Sequence, residues 1–407
     1  MGDFRAVGDN ELRGYAQVQD RRLFALDSAR GMAMLLVCIA HFVDIFHSRQ
    51  LPLEGPIESW IVDTLTLACR AASPMFVLIS GVLLGYQAEV KGAHFAAFRL
   101  HVLDRALFLV TIGHVLIALS FAALWGFGPA MSQTYITDTV AFCVMIGVFV
   151  VPAIGRRFRF VLGGCLSIGS WLLWLYWNPE DPLYQVIRSV LCGPTQDHVV
   201  AQFPLFPWLG VYMAGSGVGA WLKDLPAQGL RPVSRRLLNV SLGMIATAIV
   251  FKAGIALLTS FGGVALDPEW RQSLSLYQKY PPGLVYLLAY GGAALLLLGV
   301  LFAQTEQSWM RGAMRAVEPI GRNALPIFIV QFFLYYTCIY LLSATVTRMP
   351  LAMVGGLLLL SLWGIWGGAR LCQRYNISRF LTTGLPRLLS RLDNRSNVIR
   401  HVVWRSA

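Results

Sequence analysis

Residues 24–47 read FALDSARGMAMLLVCIAHFVDIFH, an apolar run that carries a few ionisable side chains. A helix of this length is long enough to cross a hydrocarbon core about 30 Å thick. The segment before it is polar, and the run has no small-residue cleavage site, so we interpret it as a retained signal-anchor helix. This stretch predicts a protein embedded in a membrane.

The composition extends that prediction to the whole chain. Hydrophobic residues make up 56% and charged residues 13% of the 407 residues, whereas a soluble protein carries roughly a quarter charged residues. We expect an all-α fold, a polytopic transmembrane bundle of about ten helices within 23–372, between an N-terminal segment at 1–22 and a basic tail at 373–407. The predicted spans are 24–47, 61–87, 99–124, 135–154, 158–177, 200–222, 237–259, 284–303, 319–345 and 351–371.

The chain has a net charge of +12, and its Lys and Arg residues are unevenly distributed between the connections. Basic residues concentrate in the N-terminal segment, the tail and alternate connections, as the positive-inside rule requires, so we predict that both termini are cytoplasmic. No nucleic-acid partner is predicted. Two interpretations of the tail stay open, an amphipathic helix on anionic lipid or an ordinary cytoplasmic tail. The basic residues that set the orientation include Arg5, Arg13, Arg21, Arg22, Arg156, Arg157, Arg159, Lys223, Arg231, Arg235, Arg236, Arg311 and Arg315.

The cysteines do not predict a cross-linked or metal-binding protein. Six of the seven fall within predicted spans, and no Cys-x-x-Cys or Cys/His ligand spacing is present. We predict neither a disulfide framework nor a metal site. The fifth and seventh connections, about 178–199 and 260–281, are long enough to form lids on the outer face.

Ionisable side chains inside a span must face the protein interior or a wet cavity, and the first span holds most of them. Asp27 and Arg30 stand three residues apart and can pair. His41 follows Arg30 by eleven residues, close to three whole turns and roughly 16 Å along the axis, so both side chains point the same way. Asp44 lies one turn beyond and can orient the imidazole. The alternative is that His41 is a hydrogen-bonded structural residue.

The second span carries Arg70 at a depth comparable to His41, and Pro74 permits a kink close by. Arg70 can bind an anionic or carbonyl group near His41; its alternative role is an ion pair with Asp44 or Asp63. The small residues Ser80, Gly81 and Gly85 allow close approach of another helix. Elsewhere, Arg105 and Arg322 lie near cytoplasmic ends and either bind a ligand or snorkel, while His114, Lys252 and Gln331 have no partner in sequence spacing.

Four motifs in order carry a family resemblance. LDSARG at 26–31 followed by His41 resembles the Arg-x10-His signature of the transmembrane acyltransferase-3 superfamily. The other three are Arg70 with SPMFVLISG at 73–81, FPLFPWLG at 203–210 and GRNAL at 321–325. They are more closely similar to a bacterial branch related to the heparan-α-glucosaminide N-acetyltransferase catalytic domain. Gln331 departs from that pattern, which often has a histidine on the ninth span.

The resemblance implies an enzyme of the bacterial inner membrane that moves an acyl group, acetyl by default, from cytoplasmic acyl-CoA to a glycan or glycolipid hydroxyl or amine at the outer face. It implies His41 as general base, supported by Asp44. The implied donor-binding residues are Arg30, Asp27, Arg105 and Arg322. The candidate acceptor-binding residues are Arg70, Ser73, Trp208 and Gln331.

Two other function classes remain open at this stage, and membrane lipid is a partner in each. A transporter would use the buried charges as a proton relay, although no sequence repeat of the inverted-repeat kind is evident. A non-enzymatic component of a glycan-assembly complex would use them structurally. Homo-oligomerisation is compatible with all three classes.

Overall fold

A computed structural model describes residues 3–48, 56–194, 202–223, 229–261, 267–305, 307–344, 351–377 and 381–384. Helices account for nearly all residues in these ranges, and the one β-type pairing found there is an isolated bridge between Lys279 and Pro282. The all-α prediction is confirmed. Residues 385–407, most of the predicted tail, lie outside the described residues.

Seventeen α-helices are described, joined in places by tighter or wider helical turns. The turns are Gly92–His94, a 3₁₀ turn, and the π-helical segments Leu109–Gly113 and Phe333–Ile339. The helices are α1 Asp3–Ser48, α2 Pro56–Cys69, α3 Ala72–Lys91, α4 Phe95–Phe108, α5 His114–Trp125, α6 Phe127–Ser132, α7 Ile136–Ala153, α8 Arg156–Tyr176, α9 Pro182–Leu191, α10 Leu205–Lys223, α11 Arg231–Phe261, α12 Pro268–Ser273, α13 Leu284–Gln304, α14 Ser308–Arg322, α15 Ala324–Phe332, α16 Tyr340–Ala344 and α17 Leu351–Arg374.

In the described part of the chain, eight segments are long and apolar enough to cross a membrane, fewer than the ten predicted. Two predicted spans, 61–87 and 99–124, fall within one segment, Trp60–Trp125. That segment is divided after the end of α3, at Gly92, whose φ of +48° suits a residue without a side chain. The predicted span 200–222 corresponds to α10, which is not among the eight. The others are Leu23–Ile45, Ile136–Ala153, Arg156–Tyr176, Arg231–Ser260, Leu284–Gln304, Ala324–Leu342 and Ala352–Arg374.

Helix α1 begins at Asp3, so most of the predicted N-terminal segment is continuous helix with the first span, whose apolar part begins at Leu23, close to the predicted start. One predicted boundary changes in the structure. The predicted span 319–345 starts later, because α14 ends at Arg322 and a new helix begins at Ala324. Between them, the Asn323 side-chain amide donates to the carbonyls of Pro319 and Ala369, at 3.0 and 3.3 Å. This amide compensates for the interruption of the backbone hydrogen bonds.

Glycines set the distance between the central helices α3 and α10. A Cβ on Gly81 would lie 2.1 Å from the carbonyl oxygen of Tyr212, and one on Gly85 would lie 2.1 Å from that of Ser216. On the facing helix, a Cβ on Gly219 would lie 2.2 Å from the carbonyl oxygen of Val82. Backbones this close need small residues at the crossing, as the sequence around 80–85 predicts.

Candidate functional site

The imidazole of His41 is held by an amide from the far end of the chain. His41 Nδ1 lies 2.8 Å from Oε1 of Gln331, which is fully buried on α15. An amide oxygen only accepts hydrogen bonds, so this contact places the imidazole proton on Nδ1 and leaves the Nε2 lone pair available. The arrangement gives His41 a nitrogen that can accept a proton.

Gln331 has a second polar atom that faces the protein interior. Its Nε2 is buried without a hydrogen-bond partner among the described residues. A buried amide N–H without a partner costs about 1–3 kcal/mol, which is tolerated where it serves a ligand or a reaction. Sequence spacing gave Gln331 no partner, and the structure places it at the centre of the site.

Aromatic rings surround the imidazole on the side of α15 and the π-helical segment that follows it. The ring centroids of Phe332 and Tyr336 lie 4.8 and 5.3 Å from that of His41. Tyr336 lies within the π-helical segment, whose widened turn shifts its side chain relative to an α-helical register. The Tyr336 hydroxyl donates to Asp44 Oδ2 at 3.0 Å. Asp44 therefore joins the site through Tyr336, and its predicted effect on His41 stays a prediction.

Arg70 is positioned by a break between α2 and α3. Pro74 has no N–H to donate to the carbonyl of Arg70, four residues earlier, and that carbonyl accepts instead from the hydroxyl of Tyr286 at 2.9 Å. The Arg70 Nη1 donates to the carbonyl of Tyr277 at 2.8 Å, and its guanidinium carbon lies 5.0 Å from the centre of the Tyr277 ring. The alternative ion pair with Asp44 or Asp63 does not form between these described residues.

Two connections meet near this end of the bundle. In the fifth, Gly193 has φ of +134° and lies against Pro281 of the seventh, where a Cβ would come within 2.4 Å. Arg188 anchors the fifth connection by donating from Nη2 to the carbonyl of Trp174 at 2.6 Å. Burial lowers the pKa of Arg188 and raises the pKa of Cys192 to about 11. In their described parts, 178–194 and 267–281, the predicted lids pack against each other and against the end of α8; residues 195–199 and 262–266 of the predicted lids lie outside the described residues.

The other end of α1 carries a cluster of charges. Arg30 Nη1 lies 3.4 Å from Asp27 Oδ1, and Arg322 Nε lies 3.5 Å from Asp27 Oδ2. Arg322 also contacts Glu318 at 2.6 Å. Arg105 is close enough to oppose the charge of Arg30. The structure therefore joins Asp27, Arg30 and Arg322 by ion pairs, with Glu318 as an addition, and Arg105 lies near Arg30 without an ion pair to them among the described residues. We call this cluster the arginine end, and His41, Asp44, Gln331 and Tyr336 the histidine end.

A close helix crossing creates the arginine end. A Cβ on Gly31 would lie 2.1 Å from the carbonyl oxygen of Val317, and a Cβ on Gly321 would lie 1.8 Å from that of Asp27. The absence of side chains at these two glycines lets α1 and α14 touch, which carries Arg322 to Asp27. Both glycines adjoin an arginine in the quoted motifs, so their place in the sequence has a packing reason.

The remaining predicted residues have simpler surroundings. Ser73 is half-buried in the first turn of α3, and Trp208 is fully buried on α10 with its Nε1 unpartnered among the described residues. Sequence reasoning missed the partner of His114: its Nδ1 lies 2.9 Å from Asp138 Oδ2, and its Nε2 lies 3.2 Å from the carbonyl of Met131. These two contacts fix the His114 ring between α6 and α7, which suits a structural role. The sequence feature that could have indicated this contact is Asp138, an acidic residue in the first turn of α7.

A comparison with known families identifies the family of the whole chain. A family model described as an acyltransferase domain, of the acyltransferase-3 type, matches residues 23–370. The chain belongs to the acyltransferase-3 family. It is a multi-pass membrane acyltransferase. Of the three function classes left open by the sequence, the family match therefore supports acyl transfer. No curated protein matches the chain. The narrower resemblance to the heparan-α-glucosaminide N-acetyltransferase branch stays a prediction.

Proposed function

We propose that this protein transfers an acyl group, acetyl by default, from acyl-CoA at the arginine end to a hydroxyl or amine of a glycan at the histidine end, in a bacterial inner membrane. The arginine end faces the cytoplasm in this proposal and the histidine end faces outward. The observation that carries the proposal is the contact between His41 and Gln331. His41 lies on the same helix as Arg30, roughly 16 Å from it along the axis.

His41 is the general base. Gln331 keeps the proton on Nδ1, so Nε2 takes the proton of the acceptor hydroxyl or amine as its oxygen or nitrogen attacks the thioester carbonyl. The carbon–sulfur bond then breaks, and the imidazolium returns the proton to the departing thiolate. A positioned base of this kind contributes typically 10²–10⁴-fold to the rate. The Gln331 Nε2, which has no hydrogen-bond partner in the described part of the chain, supplies a donor for polar atoms of the reacting groups.

The arginine end fits the anionic part of CoA. Arg30, Arg105 and Arg322 carry three positive charges, whereas Asp27 and Glu318 supply two negative charges to the same cluster. Guanidinium groups recognise phosphate through paired hydrogen bonds, and the surplus positive charge favours an anionic ligand. Asp27 orients Arg30 and Arg322 and thereby positions them for phosphate or pantetheine oxygens.

The test is acyl transfer by purified protein in nanodiscs, with radiolabelled acetyl-CoA and a cell-envelope glycan extract. We expect His41→Ala to lower label transfer at least a hundredfold without loss of acetyl-CoA binding. Arg30→Ala should weaken acetyl-CoA binding instead. His101→Ala, at an exposed position on α4, is the matched control and should transfer like the wild type. Transfer that survives His41→Ala unchanged would contradict the proposal.

A further inference from the structure

Two cations, Arg70 and Lys279, lie against aromatic rings in and beside the seventh connection, and acid–base chemistry on a neutral sugar does not need them. We propose that Arg70 and Lys279, with the aromatic rings beside them, bind an anionic sugar unit of the acceptor. The acceptor is therefore an acidic glycan, with its charge on a carboxylate or a phosphate. This inference rests on the proposed function and specifies its substrate class.

Arg70 is held in place but is not neutralised. Its backbone carbonyl is fixed by Tyr286, and one guanidinium nitrogen is used by the carbonyl of Tyr277. Its Nε is buried without a partner among the described residues. A carbonyl orients a guanidinium without cancelling its charge, so Arg70 retains a positive charge and donors for an anion.

Lys279 lies in the seventh connection, with its ammonium 5.0 Å from the ring centre of Tyr280 and 5.5 Å from that of Phe203. Hydrogen bonds hold this part of the chain: Gln278 donates from Nε2 to the carbonyl of Tyr280, at 2.8 Å, and its own carbonyl accepts from Gly283. Cation–π contacts retain the positive charge. No carboxylate in the described ranges lies within ion-pair distance of Lys279 or Arg70.

Electrostatics connects Lys279 to the reaction. The lysine is close enough to His41 for its charge to act on the imidazole, and Asp44 acts on the same ring with the opposite sign. Lys279 therefore lies near enough to the proposed base for an anion bound by Lys279 and Arg70 to belong to the acceptor.

The aromatic rings suit a sugar in shape. Tyr277 is 66% exposed and Tyr280 44% exposed, on either side of Lys279 in the chain. Each presents a flat apolar face with a polar hydroxyl at its edge, which matches the apolar face and hydroxyl rim of a pyranose. The alternative is a structural role, in which these side chains anchor the connection at the membrane surface, where aromatic and basic residues are common.

The experiment compares saccharides that differ in charge. The probes are maltotetraose, tetragalacturonate and maltotetraose phosphate, measured for binding to the full-length protein in nanodiscs. We expect one of the two anionic probes to bind about tenfold or more tightly than maltotetraose, with a preference that weakens as salt is raised. The two anionic probes distinguish carboxylate from phosphate recognition.

Variants locate the preference. Arg70→Gln with Lys279→Gln should abolish it, whereas Arg271→Gln, exposed on α12 in the same connection, should leave it intact. His41→Ala should retain the preference and lose acetyl transfer. If no anionic probe binds better than maltotetraose, or if Arg271→Gln causes the same loss, the inference is wrong and the side chains are surface anchors. If the preference holds but transfer is independent of His41, the proposed function fails and the anion site stands.

Discussion

At the scale of the residue, the distinctive feature is an amide that serves a histidine 290 positions earlier in the chain. A carboxylate in the place of Gln331 would share a proton with the imidazole and compete for its charge. A neutral amide fixes the same tautomer without adding a charge to a buried site, where an unpaired charge is expensive. In the proposed function, Gln331 is therefore a positioning residue for His41.

This role predicts the behaviour of two substitutions. Gln331→Leu removes the acceptor of the Nδ1 proton, so the ring loses its orientation and kcat should fall about 10–100-fold, with the KM for acetyl-CoA unchanged. Gln331→Glu keeps an acceptor oxygen and should recover part of that loss. The measurement is steady-state acetyl transfer. Gln272→Leu, on the exposed face of α12, is the control. Wild-type kcat in Gln331→Leu would refute the positioning role.

Sequence spacing reaches part of this site and stops where tertiary contacts begin. The alignment of Arg30 with His41 was predictable because one uninterrupted helix contains both. Sequence spacing did not connect His41 with Gln331, Tyr336 or Lys279. All three lie far from His41 along the chain, where no helical period relates them. The role of Asp44 was inferred from spacing along α1, whereas the atom facing Nδ1 comes from α15.

At the scale of the element, hydrophobic length predicted the helices better than their interruptions. The interruption at Arg70 is visible in the sequence through Pro74, but the hydroxyl that satisfies the freed carbonyl comes from Tyr286, 216 positions later. The π-helical segment Phe333–Ile339 has no comparable local signal. Its wide turn depends on packing, and it is the element that brings Tyr336 to Asp44.

The crossing of α1 and α14 makes a prediction at this scale. In Gly321→Ala, the added Cβ would lie 1.8 Å from the carbonyl oxygen of Asp27, so the helices must separate and Arg322 must leave Asp27. We expect a loss of about 1–3 kcal/mol in stability and weaker acetyl-CoA binding. Gly312→Ala on the same helix meets no atom within 4 Å and should be neutral or stabilising. Thermal unfolding in detergent compares the stability of the two variants, and equal melting temperatures for Gly321→Ala and Gly312→Ala would contradict the crossing.

At the scale of the whole molecule, the family match over 23–370 and the eight candidate spans establish a multi-pass acyltransferase. The proposed function requires the donor and the acceptor to reach α1 from opposite ends. The charge distribution gives that requirement a direction, because basic residues concentrate on the connections next to the arginine end. Orientation is therefore a property on which the proposed function depends.

Labelling of single cysteines tests the orientation. In a variant whose seven native cysteines are replaced, we expect Tyr184→Cys, exposed on α9, to react with a membrane-impermeant maleimide added to intact cells. His94→Cys, exposed in the turn before α4, should react only after permeabilisation. The prediction follows from the positive-inside rule, which places the fifth connection outside and the second inside. The reverse pattern would turn the arginine end outward, away from cytoplasmic acyl-CoA, and would remove the basis for the assigned direction of transfer.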